Sequence, residues 1–284
     1  MEEVEVVVAH QARVTLRVGA VFLKVDSDQA RTEIEAEAMA LAPIPTPEVL
    51  WRKPPVLAIA AVPGTALGRL GEPSKTSPQA WTAAGAALRR LHDAPLPPWP
   101  GKGTVEELAA ELDAECAWLL ANDVLPADLV ARGRRVAETV LRPWTPAFTH
   151  GDLQCAHVFV DAADRISGVI DWSEAGCFDP LFDLAILTMG HPEHLQDVLT
   201  GYGADPEAGA DPKADASLQA DADRPAGADS KASAHRDVIR GWWSFRSLTA
   251  VRWLIEHGFD PAAPGCELDV LRRATAPSPA RSPR

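Results

Sequence analysis

The sequence predicts an α+β fold with two lobes: a small N-terminal lobe built on an antiparallel sheet, and a larger, mainly helical C-terminal lobe. Short β-branched runs dominate the first quarter of the 284 residues, whereas helical periodicity dominates after Gly64. The apolar segment 56–62 joins the two parts and predicts a buried strand. We therefore place the N-terminal lobe and the hinge at residues 1–62, and the C-terminal lobe at residues 63–273.

The N-terminal lobe begins with three β-branched runs, at residues 4–8, 14–18 and 21–25. Because these runs follow one another closely, they predict a meander of antiparallel strands. Residues 29–42 are rich in Ala and Glu and predict a helix, which Pro43 and the prolines after it end.

The C-terminal lobe carries three helical patterns, at residues 81–92, 106–121 and 236–257. Short apolar segments between the second and third pattern predict strands, at residues 147–149, 158–160 and 168–170. Residues 203–235 contain mainly Ala, Asp, Pro, Gly and Ser and cannot bury enough apolar surface to offset the entropy of ordering. They predict a disordered insert, and residues 274–284 predict a disordered tail.

The composition and the net charge argue against several classes of protein and of binding partner. No apolar run approaches the roughly 20 residues of a membrane span, and the acidic first residues lack the order of a signal peptide. Four scattered cysteines indicate reduced thiols, so we expect a cytoplasmic protein. The net charge of −13 argues against nucleic acid or an anionic membrane as partner. It is compatible with a cationic small-molecule substrate and equally with an acidity that serves solubility alone.

Three motifs between residues 149 and 185 carry the chemistry: T-H-G-D-L-Q-C-A-H, then V-I-D-W, then D-P-L-F-D-L-A. Their residues of interest are His150, Gly151, Asp152, His157, Asp171, Asp179 and Asp183. In this order the motifs resemble the aminoglycoside phosphotransferase family, the small-molecule branch of the kinase-like fold. That family reads H-G-D-x-x-x-x-N, then I-D-W or I-D-F, then D-P-x-x-D-L-A. The resemblance implies a protein-kinase-like arrangement of the two lobes.

Phosphoryl transfer requires a positioned hydroxyl, charge neutralisation on the phosphates and metal ligands. The resemblance implies that Asp152 is the catalytic carboxylate that accepts the proton of the acceptor hydroxyl. It implies that Asp171, at the end of a strand, is a metal ligand, and carboxylate oxygen suits Mg²⁺. His150 is expected to brace the loop through its ring nitrogens, and Asp183 is expected to support the loop from behind.

The nucleotide site is expected in the N-terminal lobe. The resemblance implies that Lys24 holds the α- and β-phosphates of ATP and pairs with a glutamate of the following helix. Glu35 is the best partner by register, and Glu33 and Glu37 are alternatives. If these residues have no function, Lys24 and the glutamates are ordinary solvated surface charges. The turn at residues 10–13 lacks the glycine that usually covers the phosphates, so either Arg13 reaches a phosphate or ATP binds loosely.

His157 departs from the family pattern, which has Asn at this position. Imidazole is a poorer ligand for Mg²⁺ than an amide oxygen. Three hypotheses follow: His157 donates a hydrogen bond to a nucleotide phosphate or to Asp152, it ligates a metal such as Mn²⁺, or catalysis is impaired. Some family members, macrolide kinases among them, resemble this chain in having His here.

The sequence thus predicts a phosphotransferase that uses ATP and Mg²⁺, with Mn²⁺ as the alternative metal, to phosphorylate a hydroxyl of a small molecule. The acceptors implied by the resemblance include aminoglycoside and macrolide antibiotics, whose phosphorylation would confer resistance. They also include amino alcohols and sugars. The alternative is a catalytically impaired nucleotide-binding module with a regulatory role. A protein kinase ranks last because the A-P-E signature of an activation segment is missing.

Overall fold

The computed structural model describes residues 3–9, 13–101, 103–203 and 227–276. It confirms the predicted α+β class, with an antiparallel sheet in the N-terminal part and mostly helices in the C-terminal part. The sheet contains five strands in the order β1-β2-β3-β5-β4, namely β1 (Val4–Ala9), β2 (Arg13–Val18), β3 (Val21–Asp26), β4 (Val49–Lys53) and β5 (Val56–Ala60). All neighbouring strands in this sheet are antiparallel.

Helix α1 (Gln29–Leu41) follows β3 and matches the predicted helix closely. It begins at Asp28, whose side chain accepts a hydrogen bond from the backbone N–H of Ala30 at 3.0 Å. Strand β4 is a difference from the sequence analysis. All five of its residues are exposed at the edge of the sheet. Its sequence therefore lacks the alternation of apolar and polar residues that would indicate a half-buried strand.

The helices of the C-terminal lobe are α2 (Pro78–His92), α3 (Val105–Ala121), α4 (Ala127–Ala137), α5 (Pro180–Thr188), α6 (Leu195–Tyr202), α7 (Gly227–Thr249), α8 (Val251–Glu256) and α9 (Glu267–Ala274). Two small sheets lie among them. One contains β6 (Thr65–Ala66), β8 (Val158–Val160) and β9 (Ile166–Val169), and the other contains β7 (Ala147–Thr149) and β10 (Gly176–Phe178). The first two sequence motifs therefore lie on short strands and the turns that follow them, and the third begins helix α5.

Two expectations for the C-terminal lobe need correction. The single helix expected at residues 236–257 is two helices, because the helical conformation is interrupted at Ala250 between α7 and α8. Helix α7 also begins at Gly227, so residues 227–235 of the expected disordered insert are helical. Residues 204–226 of that insert and residues 277–284 of the expected tail lie outside the described residues.

The connection between the two lobes runs from β5 to β6, and the boundary at residue 62 stays a prediction. Gly64 in this connection has φ +101°, and a Cβ there would lie 2.2 Å from the carbonyl oxygen of Val160. Only glycine permits this close approach of the connection to β8. Below it, large aromatic side chains form the centre of the core, among them Phe148, Trp172, Phe178 and Trp242. Within the described ranges, no helix combines the length and apolar character that crossing a membrane requires.

Candidate active site

The candidate catalytic loop, residues 150–157, connects β7 to β8 and is held by Asp183 at the start of α5. The two oxygens of this buried carboxylate accept hydrogen bonds from the backbone N–H groups of His150 at 2.8 Å and Gly151 at 2.9 Å. Gly151 has φ +84°, a conformation that a side chain would strain. The structure thus places Asp183 behind the loop, at the position that the sequence analysis assigned to a supporting residue.

A third donor to Asp183 comes from helix α2. His92 Nε2 donates to Asp183 Oδ2 at 3.1 Å, and the hydroxyl of Tyr202 lies 2.9 Å from His92 Nδ1. Burial opposes ionisation of Asp183, but the hydrogen bonds from His92 and the loop outweigh it and lower the pKa of this carboxyl below its ordinary value. Asp183 is therefore a buried anion whose charge is balanced by donors from α2 and the loop.

His150 links the loop to the strand that leads to Asp171. Its Nε2 donates to the carbonyl oxygen of Ile170 at 2.9 Å, and its Nδ1 accepts from the backbone N–H of Asp152 at 3.3 Å. These partners require the neutral ring with the proton on Nε2. Full burial lowers the pKa of His150 below 6.5, so the ring is neutral in the folded protein.

The buried neutral ring of His150 predicts that the protein loses stability as the pH falls below about 6.5, the ordinary pKa of histidine. Between the lowered pKa of the folded state and this value, the unfolded state binds more protons, so the free energy of unfolding decreases with decreasing pH. A His150→Gln variant does not titrate. Thermal denaturation followed by circular dichroism from pH 7.5 to 5.5 should therefore show a smaller loss of Tm in the variant than in the wild type. Parallel losses of Tm would contradict this role.

The carboxylate of Asp152 is partly buried, and its surroundings are supplied by three neighbours. Gln154 Nε2 donates to Asp152 Oδ2 at 3.2 Å, and His157 Nδ1 donates to the backbone carbonyl oxygen of Asp152 at 2.9 Å. From α7, Arg246 Nη2 lies 3.7 Å from Asp152 Oδ1. Asp152 Oδ2 is therefore engaged by Gln154, whereas Oδ1 accepts no hydrogen bond from a described residue and lies within ion-pair range of Arg246.

The structure brings the candidate nucleotide residues together across the two lobes. Lys24 on β3 donates to Glu35 on α1 and, at 2.7 Å, to Asp171 Oδ1. Both Lys24 and Glu35 are buried. Of the three glutamates considered from the sequence, Glu35 is the one that pairs with Lys24, whereas Glu33 accepts a hydrogen bond from Arg52 at 2.8 Å.

Asp171 also receives Arg13, whose Nη2 donates to Asp171 Oδ1 at 2.6 Å and lies 4.0 Å from Glu35. Asp171 ends the strand with φ +68°. Burial opposes its ionisation, but the charges of Lys24, His157 and Arg13 outweigh this and hold the pKa of Asp171 well below its ordinary value. Arg13 therefore reaches the site, while residues 10–12 of the same turn lie outside the described residues.

A metal ion would meet two donor atoms at this point of the site. Lys24 and Arg13 both contact Asp171 Oδ1, and His157 Nε2 lies 3.8 Å from the other oxygen, Oδ2. His157 Nδ1 donates to the backbone carbonyl oxygen of Asp152, so Nε2 is the ring nitrogen that could bind a metal. Among the described residues, no three His, Cys, Asp or Glu side chains form a metal cluster, so a nucleotide would have to supply further ligands. A carboxylate oxygen and an imidazole nitrogen fit Mn²⁺ better than Mg²⁺.

Sequence reasoning missed four residues of the site: His92, Gln154, Glu174 and Arg246. Glu174 accepts a hydrogen bond from Arg31 of α1 at 2.7 Å, which adds a further ion pair between the lobes. His92 lies 91 residues from its partner Asp183, so no local spacing could indicate their contact. Gln154 is the exception, because its place two residues after Asp152 within the loop is visible in the sequence.

Comparison with known proteins assigns the family. The sequence pattern of the phosphotransferase enzyme family matches residues 9–215, which is most of the chain. The chain belongs to this family. Viomycin phosphotransferase from Streptomyces vinaceus is 44% identical over 54 residues, a segment that covers 18% of this chain and 19% of that relative.

Solved structures of this phosphotransferase class share the fold. A choline/ethanolamine kinase family protein from Mesorhizobium loti superimposes with a TM-score of 0.63 at 21% identity, covering 98% of this chain and 89% of that one. The GDP complex of aminoglycoside 2'-phosphotransferase-IIIa gives a TM-score of 0.63 at 15% identity, with coverages of 96% and 92%. Macrolide 2'-phosphotransferase type I gives 0.59 at 19% identity, with coverages of 97% and 90%. These likenesses establish the kinase-like fold of the phosphotransferase.

Proposed function

We propose that this member of the phosphotransferase enzyme family is an ATP-dependent kinase that transfers the γ-phosphate to a hydroxyl of a small molecule. One observation carries the proposal. His157 contacts the backbone of Asp152 at 2.9 Å and lies 3.8 Å from Asp171 Oδ2, so it joins the candidate base to the site where Lys24 and Arg13 converge. This arrangement supports a site in which proton acceptance and phosphate binding occur next to each other.

The residues divide the work of phosphoryl transfer. Lys24, held by Glu35, and Arg13 supply positive charge to the phosphates. Asp152 accepts the proton of the acceptor hydroxyl as its oxygen forms a bond to the γ-phosphorus. The bond between that phosphorus and the bridging oxygen of ADP breaks, and ADP leaves with the electron pair. His150 and Asp183 keep the loop in place during these steps.

The nucleotide and metal of the proposal are ATP and Mg²⁺ or Mn²⁺. Structures that share the fold include a GDP complex, an ADP-bound form and a streptomycin–ATP ternary complex, which supports a nucleotide site in this chain. Asp171 and His157 are the residues that would hold the metal. When bound there, the metal would neutralise charge on the phosphates. Because imidazole replaces an amide at position 157, we expect the enzyme to favour Mn²⁺ more than an enzyme with Asn would.

The metal preference is checked by His157→Asn. We expect the ratio of kcat/KM with Mn²⁺ to kcat/KM with Mg²⁺ to fall by about 10-fold, since the amide oxygen is the harder ligand. ADP release measured over a titration of each metal gives this ratio. His194→Asn is the matched control, because His194 pairs with Asp197 and stacks on Trp81, with no contact to Asp171. An unchanged ratio in His157→Asn would remove His157 from the metal site.

The acceptor class is proposed from the comparisons and tested by acceptor-dependent ADP release. The partial match to viomycin phosphotransferase and the folds shared with aminoglycoside and macrolide phosphotransferases favour an antibiotic hydroxyl, and hence resistance. The panel is viomycin, gentamicin, streptomycin, a macrolide, choline and ethanolamine, each with ATP and either metal. Release that depends on one acceptor, with a mass increase of that acceptor by one phosphate, supports the proposal. No release with any acceptor would count against it.

One observation favours the alternative of a nucleotide-binding module without catalysis. Lys24 and Arg13 both donate hydrogen bonds to Asp171 Oδ1, so a metal–nucleotide complex would have to compete with them for this oxygen. The two functions differ in turnover: the module binds ATP, as a rise in Tm shows, but releases no ADP with any acceptor. Acceptor-dependent turnover that is lost in Asp152→Ala would eliminate the module.

A further inference from the structure

Arg246 faces the candidate base from a helix that the three sequence motifs do not include. It lies in the last turn of α7, and its side chain is 36% exposed. Its Nη2 is 3.7 Å from Asp152 Oδ1, which is within ion-pair range but too long for a hydrogen bond. In the described part of the chain, this guanidinium donates no hydrogen bond to another residue. Its donors are therefore available to a bound molecule.

The two oxygens of Asp152 are thereby distinguished. Oδ2 is engaged by Gln154 at 3.2 Å, whereas Oδ1 faces Arg246 across the 3.7 Å gap. An oxygen atom about 2.7 Å from Oδ1 and about 2.9 Å from Nη2 bridges this gap, and both distances are ordinary hydrogen bonds. A hydroxyl is the group that suits the position, because it donates its proton to the carboxylate while its lone pair accepts from the guanidinium.

Helix α9 packs beside α7 and carries a carboxylate near Arg246. Arg240 of α7 donates to the carbonyl oxygens of Ala274 and Ala276 at the end of α9, and Leu248 and Leu271 both pack around Gly133. The two helices therefore run antiparallel. Arg246 lies further along α7 and Glu267 at the opposite end of α9, where the charge of Arg246 acts on the Glu267 carboxyl.

Glu267 is a buried carboxylate, 8% exposed, that accepts no hydrogen bond from another described residue. Burial raises the pKa of Glu267, while the nearby charge of Arg246 opposes this effect and that of Asp152 adds to it. A hydrogen bond from its own backbone N–H also lowers the pKa of Glu267, and a nearby guanidinium charge stabilises the buried anion. Arg246 thus lies near two carboxylates: it is within ion-pair range of Asp152, and its charge also acts on Glu267.

We propose that Arg246 binds the acceptor hydroxyl and directs its proton to Asp152 Oδ1, and that the nearby negative charge of Glu267 helps to position Arg246. This inference rests on the proposed kinase function and names the residue that selects and orients the acceptor. In the transfer step, the oxygen held by Arg246 forms the bond to the γ-phosphorus, its proton moves to Asp152, and ADP leaves with the electron pair of the broken bond.

The test separates the KM of the acceptor from the KM of ATP in the full chain, using the acceptor of the panel above with the highest turnover. We expect Arg246→Ala to lower kcat/KM for the acceptor by roughly 10- to 100-fold, the effect of losing a charge-assisted hydrogen bond, and to leave the KM of ATP unchanged. Arg246→Lys keeps the positive charge without the planar, two-pronged set of guanidinium donors, and it should recover part of the lost kcat/KM. Glu267→Gln should lower kcat/KM for the acceptor in the same direction.

The matched control is Arg272→Ala, which removes an exposed arginine of α9 and should leave every constant unchanged. The inference is overturned if Arg246→Ala keeps the kcat/KM of the wild type, or if it raises the KM of ATP as much as that of the acceptor. Should Arg246→Ala melt below the assay temperature, Arg246→Lys decides between the same two results. A wild type without acceptor-dependent ADP release would overturn the proposed function and this inference together, whereas an active wild type with an unaffected Arg246→Ala overturns the inference alone.

Discussion

Replacing Asp152 with Asn is expected to lower kcat by about 10³-fold, within the range that general base catalysis contributes. The amide has the same shape, so it can keep a hydrogen bond with Gln154, but it cannot accept the hydroxyl proton at Oδ1. The backbone of residue 152 still binds His150 and His157, and the loop therefore keeps its conformation. We expect the KM of ATP to remain within about twofold, because the phosphate charges are neutralised elsewhere.

The measurement for Asp152→Asn is the initial rate of acceptor-dependent ADP release at saturating ATP. Asp128→Asn serves as the matched control, because Asp128 is an exposed carboxylate of α4 that pairs with Arg132 and lies away from the loop. A variant that keeps wild-type turnover would show that proton transfer to Asp152 contributes nothing. In that case the transfer would depend on positioning and charge neutralisation alone.

The local parts of the candidate site were predictable from the sequence because each is encoded by a short segment. The loop from His150 to His157 and the turn at Asp171 are continuous motifs, and their short strands are visible as apolar segments. Lys24 and Glu35 are 11 residues apart on a strand and the helix that follows it, so their register could be compared with that of neighbouring glutamates. Such contacts depend on the geometry of one or two elements.

The remaining parts depend on packing between elements that are distant in the chain. Arg246 reaches Asp152 only because α7 packs against α5 and α9, and nothing in the spacing of either residue indicates this. The break of the expected long helix at Ala250 has the same origin, since the periodicity of residues 236–257 alone predicts a single helix. Strand β4 was missed for the opposite reason, because an exposed edge strand leaves no periodic apolar pattern.

The buried position of Asp183 makes it the residue whose loss should affect both folding and catalysis. Asp183→Ala leaves the N–H groups of His150 and Gly151 and the ring nitrogen of His92 without their acceptor, in a place that water does not reach. Removing one partner from a buried charged network costs about 3–5 kcal/mol. We expect the free energy of unfolding to fall by about this amount, and kcat to fall as well because the catalytic loop loses its support.

Asp179→Ala separates these two effects of the Asp183 substitution. Asp179 is an equally buried carboxylate on the same helix, where it accepts from the backbone of Leu181 at 3.0 Å, Trp242 at 3.1 Å and Arg142 at 3.0 Å, but not from the loop. Urea denaturation should show comparable losses of stability for both variants. The kcat of the folded fraction should fall in Asp183→Ala and persist in Asp179→Ala. Of these two carboxylates, Asp183 alone binds the backbone N–H groups of His150 and Gly151, which precede the proposed base Asp152. Equal values of kcat would mean that Asp183 serves the stability of α5 and not the position of Asp152.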